Sequence, residues 1–328
     1  MQHLRTEQDL DALRHATQAY SVLCAWSDAG LFDALRDGEA RTADELPGDT
    51  RAVATTAPVL GNLGLLVRSE VDGSVTWRLS PTGRKLVRAG VFPIPRALDG
   101  VATLSRLGAV MADGGPAPDA EGRRKATSGG VREDDPERNR LFMDSLWRRS
   151  AVGAVETARA VADRHAPGRA LDLGGGHGRY AAELAERGWE VTIFDRAGIV
   201  ELARERHADR FGYLAGDFLR EDLGGPYEAI LLSNIVHGLS DDEIDGLLPR
   251  MRAALRPGGL LVLKDMFFDD TGVGPRVPAL FGVTMLMYTE GGRSYGVAEL
   301  RPRLADAGFA HADHLYLPDQ SFSLLIAR

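Results

Sequence analysis

Three aspartates stand at the ends of successive apolar runs: Asp172 in ALDL, Asp195 in VTIFD and Asp217 in AGDF. Between the first two lies a turn that has lost most of its side chains, GGGHG at residues 174–178. Glycine there lets backbone N–H groups approach a ligand closely, at the positive start of the next helix. A carboxylate that closes the second strand is placed to hold a ribose diol. His237 follows another apolar run, AILLSNIV. The C-terminal ends of strands are where open α/β sheets place ligands. Imidazole titrates near neutrality, so it can take a hydroxyl proton as the oxygen attacks an electrophile.

Two nucleotide-type ligands fit the glycine turn. Gly176, Gly178 and Ala181 satisfy the G-x-G-x-x-G/A pattern of a dinucleotide site, with Asp195 about 20 residues further on. The glycines alone therefore do not choose. Asp172 does: inside the turn it would repel a pyrophosphate and attract an amino-acid ammonium. With Asp217 after the third strand, it favours a cationic ligand that carries an adenosine, S-adenosylmethionine.

These residues need a parallel sheet to converge. From Arg169 onward the hydrophobic pattern predicts strands at 170–173, 190–194, 211–214, 228–234 and 259–265. Helices at 179–187, 197–207 and 241–255 alternate with them, the βαβ rhythm of a sheet covered on both faces. A helix at 297–307 follows, then two segments, 310–317 and 321–328, that pair as antiparallel strands at the sheet edge. Upstream, 7–37 reads as helix broken at Ala29-Gly30, and 51–66 as another helix. Two strands turning at Asp72-Gly73 and a helix at 81–88 complete a winged-helix pattern. Residues 95–112 and 134–165 read as helices.

The motif order resembles that of the class I S-adenosylmethionine-dependent methyltransferases, specifically the small-molecule O-methyltransferases with an N-terminal winged-helix dimerisation domain. LDLGGGHG, the Phe194-Asp195 pair, AGDF, SNIVHGLSDDE, LRPGG and EGGR carry the resemblance, which spans nearly the whole chain. It implies an α/β fold with a Rossmann-like sheet and a mostly helical N-terminal domain. It places Gly174 and Gly176 under the methionine part of the cofactor and Asp195 on the ribose. Asp217 and Phe218 frame the adenine, and Ser233 lies near the cofactor. Arg196, beside Asp195, joins that set with Asp172. The resemblance makes His237 the general base and Asp265 the acid that orients it. The sequence also departs from the family. Gly238 stands where many relatives have Asp, Ser294 follows EGGR where an acid is common, and Asp265 is shorter than the Glu of plant members. These departures predict a weakly supported base and leave carbon or nitrogen acceptors, or a reaction without methyl transfer, as alternatives. His237 and Asp265 as two ligands are a weak metal signal.

The expected domains are 1–95, a winged-helix dimerisation domain; 96–165, a helical connector with a mobile loop at 113–135; and 166–328, the cofactor-binding domain. Phe142, Met143, Trp147, Phe281, Met285, Met287 and Tyr295 are expected to line an apolar or aromatic substrate pocket. The expected partners are a small aromatic molecule and a second copy of the chain. Nucleic acid is not expected: the net charge is −8, and residues 1–90 hold ten Lys or Arg against twelve Asp or Glu, too few cations to neutralise phosphates. No apolar stretch reaches membrane-spanning length and the first residues lack a signal-peptide core, so a cytoplasmic protein is expected. Cys24, the one cysteine, reads as a core residue. His177 reads as a cofactor neighbour, and the other six histidines have no supporting context.

Overall fold

The computed structural model describes residues 4–91, 97–117, 136–318 and 321–328, and the chain divides into two compact units, residues 1–107 and 108–328. In the first, Thr6 caps α1 (Glu7–Asp28) with a reciprocal bond: its hydroxyl accepts the Asp9 N–H, and the Asp9 carboxylate accepts the Thr6 N–H. Gly30, at φ 71°, breaks the helix before α2 (Leu31–Ala34). α3 (Thr50–Asn62) starts on an Asp49 cap and ends four residues before the expected limit. Gly64 turns left-handed there, and Leu66 already belongs to β1 (Leu66–Val71). β1 pairs antiparallel with β2 (Ser74–Leu79), and Asp72 and Gly73 both take positive φ in the connecting turn. α4 (Pro81–Arg88) follows. Trp26, Phe32, Leu35, Leu60, Trp77 and Leu79 form the core of this unit, and Cys24 is fully buried.

The expected helix at 95–112 is two, α5 (Ala97–Leu104) and α6 (Leu107–Asp113). Most of the loop expected at 113–135 lies outside the described residues. In the second unit, α7 (Pro136–Arg149) and α8 (Ala151–Ala162) replace a single expected helix, with Ser150 between them.

The sheet is built from β3 (Arg169–Leu173), β4 (Glu190–Asp195), β5 (Gly212–Ala215), β6 (Tyr227–Ser233), β7 (Leu255–Asp265), β8 (Ala312–Tyr316) and β9 (Ser323–Ala327). Its order is β5-β4-β3-β6-β7-β9-β8; the first five are parallel, and β9 runs antiparallel to both neighbours. The last two strands pair as expected, but only β8 is an edge. β9, apolar on both faces, is buried along its length between β7 and β8.

Strand residues alternate between two cores. Leu171, Leu173, Ile230, Leu232, Leu261 and Leu263 pack with α11 (Asp241–Ala254) and α13 (Val297–Asp306). Ala170, Leu231, Val262, Leu324 and Ile326 pack with α8 and α9 (Arg179–Ala185). α10 (Ala197–His207) follows β4, and α12 (Arg276–Tyr288) follows β7. The sequence reading assigned no element to α12. Its run RVPALFGVTMLMY has no continuous polar stripe to mark a helical period. Among the described residues, no helix is long and apolar enough to cross a membrane.

Candidate active site

The glycine turn grows directly out of β3. The Gly174 N–H donates to the Phe194 carbonyl at 2.8 Å, which ties the turn to the end of β4. Gly174 has φ 70°, and a Cβ there would sit 2.5 Å from the Ile235 side chain, so only glycine fits. The Gly176 N–H donates to Asp195 Oδ2 at 2.9 Å, and the Arg196 N–H to Asp195 Oδ1 at 2.7 Å. Each carboxylate oxygen keeps a second lone pair for a ligand hydroxyl. Burial pushes the Asp195 carboxyl above its ordinary value.

Asp172 lies beneath the turn with no exposed surface, and neither of its oxygens has a hydrogen-bond partner. Burial, then the charge of Asp195, pushes its carboxyl up to about 7. Ser233 Oγ and Tyr180 Oη are likewise buried without a hydrogen bond of ordinary geometry, although Ser233 and Asn234 both lower the Tyr180 phenol against the rise caused by burial. Buried carboxylates in a folded protein nearly always have partners, so Asp172 offers a place for another polar group. Phe218 stands edge-on to Phe194 at 6.4 Å, and reaches the turn 3.8 Å from the position of a Gly174 Cβ. Asp217 is exposed, and its Oδ1 accepts the Leu219 N–H at 3.0 Å. Arg250, which the sequence reading passed over, holds this loop by donating to the carbonyls of Phe218 at 2.8 Å and Leu219 at 2.7 Å.

His237 sits in a 3-10 turn, Val236–Gly238, just beyond β6. Its Nδ1 lies 2.8 Å from Asp265 Oδ1 and 3.0 Å from Oδ2, and its backbone N–H donates to Oδ2 at 3.2 Å. Asp265 therefore reaches the imidazole, which corrects the expectation that its short side chain would leave His237 without that support. The reason is register: β6 pairs with β7 so that Ser233 is opposite Lys264, and the next turn folds His237 back over the strand end. Burial pushes the Asp265 carboxyl up, but the facing imidazole and the Met266 N–H outweigh it and hold it below the ordinary carboxylate value. An acceptor at Nδ1 puts the ring proton there and leaves the Nε2 lone pair free. Phe281 of α12 packs edge-on to the ring, 4.7 Å between centroids.

The EGGR run closes the turn from the other side. The Arg293 N–H donates to the His237 carbonyl at 2.9 Å. A Cβ at Gly292 would meet that carbonyl oxygen at 2.6 Å. Arg293 is itself held by Glu299 and Asp241. Only the order of the motif, not its contact with His237, was visible in the sequence.

The expected pocket residues separate. Phe281 reaches His237, and Met143 reaches the glycine turn, its Sδ 3.4 Å from the position of a Gly176 Cβ. Tyr295 does not line a pocket. It is 1% exposed in the core beside α11 and α13, and donates to the Leu239 carbonyl at 2.7 Å. The guanidinium groups of Arg179 (4.6 Å) and Arg206 (4.7 Å) both lie over the Trp147 ring, and His177 of the glycine turn stands edge-on to it at 6.0 Å. Met285 and Met287 are buried, and Phe142 is half-buried on α7. His207, one of the six histidines for which the sequence offers no supporting context, donates from Nε2 to the His177 carbonyl at 3.1 Å, and its ring would meet a Cβ at Gly178. Burial, then the charges of Arg206 and Arg179, pushes the His177 imidazole down to about 3, so it stays neutral. Among the described residues no group of three or more His, Cys, Asp or Glu converges as metal ligands do.

A glycine turn between β3 and α9, acids at successive strand ends and a seven-stranded sheet with one antiparallel insertion define a class I methyltransferase. Residues 107–310 match the O-methyltransferase domain, well over half of the chain, and the protein belongs to that family. It is an S-adenosylmethionine-dependent O-methyltransferase. It is 33% identical to the acetylserotonin O-methyltransferase of Mus musculus, over 93% of this chain and 85% of the relative. It is 29% identical to the 3-hydroxy-5-methyl-1-naphthoate 3-O-methyltransferase of Streptomyces sahachiroi, over 88% and 85%. The fold is shared with the mitomycin 7-O-methyltransferase MmcR, at TM-score 0.81 and 20% identity, over 98% of this chain and 97% of that one. It is also shared with human N-acetylserotonin methyltransferase in complex with SAM, at TM-score 0.77 and 18% identity, over 100% and 99%.

Proposed function

We propose that this enzyme methylates a hydroxyl on a small aromatic molecule, with His237 as the general base. The observation that carries the reading is the His237–Asp265 pair. It fixes the imidazole tautomer and leaves Nε2 as the proton acceptor. The negative carboxylate stabilises the imidazolium that forms when the proton arrives. Phe281 keeps the ring in place and presents an apolar edge to an aromatic acceptor. The names of relatives support an aromatic or natural-product acceptor: two name acetylserotonin and a hydroxynaphthoate, and a third names mitomycin biosynthesis. A well-supported base counts against acceptors that need no proton removed.

The unpartnered Asp172 carboxylate fits an ammonium group, and Asp195 fits a ribose diol. Gly174 and Gly176 leave room for the backbone to meet the methionine part. Phe218 offers an apolar face, and Asp217 a carboxylate, to the adenine. Ser233 adds a buried hydroxyl beside Asp172, and Arg196 flanks the ribose position. Bound S-adenosylmethionine supplies a sulfonium methyl group as the electrophile. This chain's own work is to align the acceptor oxygen and remove its proton, and alignment alone can supply much of the acceleration. Exposed Leu10 and Tyr20 on α1 support association of two copies through the first unit.

The test combines calorimetry with S-adenosylmethionine and methyl transfer from labelled donor to a panel of phenols. His237→Ala is expected to leave cofactor binding intact and to slow transfer by about 10²–10⁴. A loss below about threefold, on a scale where a general base is worth at least 10², would remove His237 from that role.

A further inference from the structure

Lys264 and Asp265 are consecutive at the end of β7, and their side chains leave the strand on opposite faces. Asp265 holds His237 on one face. On the other, Lys264 is 2% exposed, and its Nζ donates to Asn234 Oδ1 at 2.7 Å. The Lys264 ammonium also lies over the Phe322 ring, 3.3 Å from its centroid. The Lys264 carbonyl accepts the Asn234 N–H at 2.7 Å. The two neighbours thus grip the two ends of one four-residue turn, Asn234 to His237.

Asn234 is the left-handed point of that turn. Its φ is 57°, a region that residues with a Cβ seldom enter, although asparagine enters it more readily than most. Relaxation of Asn234 towards negative φ would rotate the chain that leads to Ile235, Val236 and His237. Burying a lysine is costly, so its partners at this turn must compensate for the water it has lost.

We propose that Lys264 is a positioning residue: through Asn234 it holds the left-handed turn that presents His237 to Asp265. The inference rests on His237 as base only for its effect on rate; the geometric claim stands apart from it. Lys264→Met keeps the side chain's length and removes the donor. The variant is expected to lower kcat by about ten- to a hundredfold, the scale of a misplaced catalytic group, with KM for S-adenosylmethionine little changed. The His237 Nδ1 proton bonded to Asp265, seen by NMR of the full chain and assigned by its loss in His237→Ala, is expected to shift or broaden. Glycine takes φ 57° without strain, so adding Asn234→Gly to Lys264→Met is expected to restore both the resonance and kcat. Should Lys264→Met fold poorly, Asn234→Ala and Asn234→Gly alone make the comparison. Both delete the amide, and only alanine is expected to disturb the His237 proton. An unchanged resonance in Lys264→Met, no recovery with glycine, or equal behaviour of alanine and glycine would overturn the proposal. If the resonance responds as described while His237→Ala keeps full activity, the base reading falls and the positioning role stands.

Discussion

Asp172 shows what burial does to one side chain. Its ordinary carboxyl value is 3.8, and in the folded protein it stands at about 7. Between those values the unfolded chain has released the proton and the folded protein keeps it. The folded state binds more protons there, so stability without cofactor falls as pH rises through that window. An ammonium beside the carboxylate reverses the preference and favours the ionised form. Two outcomes follow from the same sign. Thermal unfolding of the free protein between about pH 5 and pH 8 should show a stability loss that Asp172→Asn flattens. Calorimetry should show S-adenosylmethionine binding that tightens as pH rises through about 7 in the native protein, and not in the variant. A pH slope equal in both proteins would assign it to other groups. At this scale the sequence showed which residues stand at strand ends, because apolar runs that stop on an acid are local patterns. It did not show that Asp265 reaches His237, or that Gly292 and Arg293 close the same turn. Those contacts depend on the register of β6 against β7 and on a segment more than fifty residues downstream.

β7 is the element on which the site hangs. Residues 259–265 are buried without interruption, and the last two carry Lys264 and Asp265. Leu263, 1% exposed, packs in the core with α11 and α13. Leu263→Ala should cost about 2–5 kcal/mol in urea unfolding, the range for a buried leucine that leaves a cavity. Leu280→Ala on α12, where the side chain is 59% exposed, should cost no more than about 0.5 kcal/mol. Equal losses would mean that α12 is covered by something else. The strands were legible because each is a continuous apolar run bounded by turn residues. α12 was not, since it is apolar almost all round. The division at Ser150 escaped because serine within a helical pattern signals no break by itself.

The two units differ in what they hold. All the residues proposed to hold the cofactor belong to the second, and the first has its own core around Trp26 and Trp77. Hydrogen exchange with and without S-adenosylmethionine should therefore slow at 172–178, 195–196 and 217–218, and stay unchanged through β1, β2 and α3. Protection spread evenly over the chain would refute a site confined to those strand ends. From the change of a helix-and-hairpin pattern to a βαβ rhythm the sequence leads to three expected domains, 1–95, 96–165 and 166–328, whereas the chain divides into two compact units at residue 107. The place of β9 inside the sheet was not legible, because strand order leaves no local trace. The tryptophans divide two and two between the units, and three of them, Trp26, Trp77 and Trp189, are no more than 4% exposed. Trp147 alone is half-buried, and two guanidinium groups lie over its indole, one of them on the first residue of the helix that follows the glycine turn. Its fluorescence is therefore expected to respond to charge arriving at that turn, which would make it an unlabelled optical probe of the proposed cofactor site.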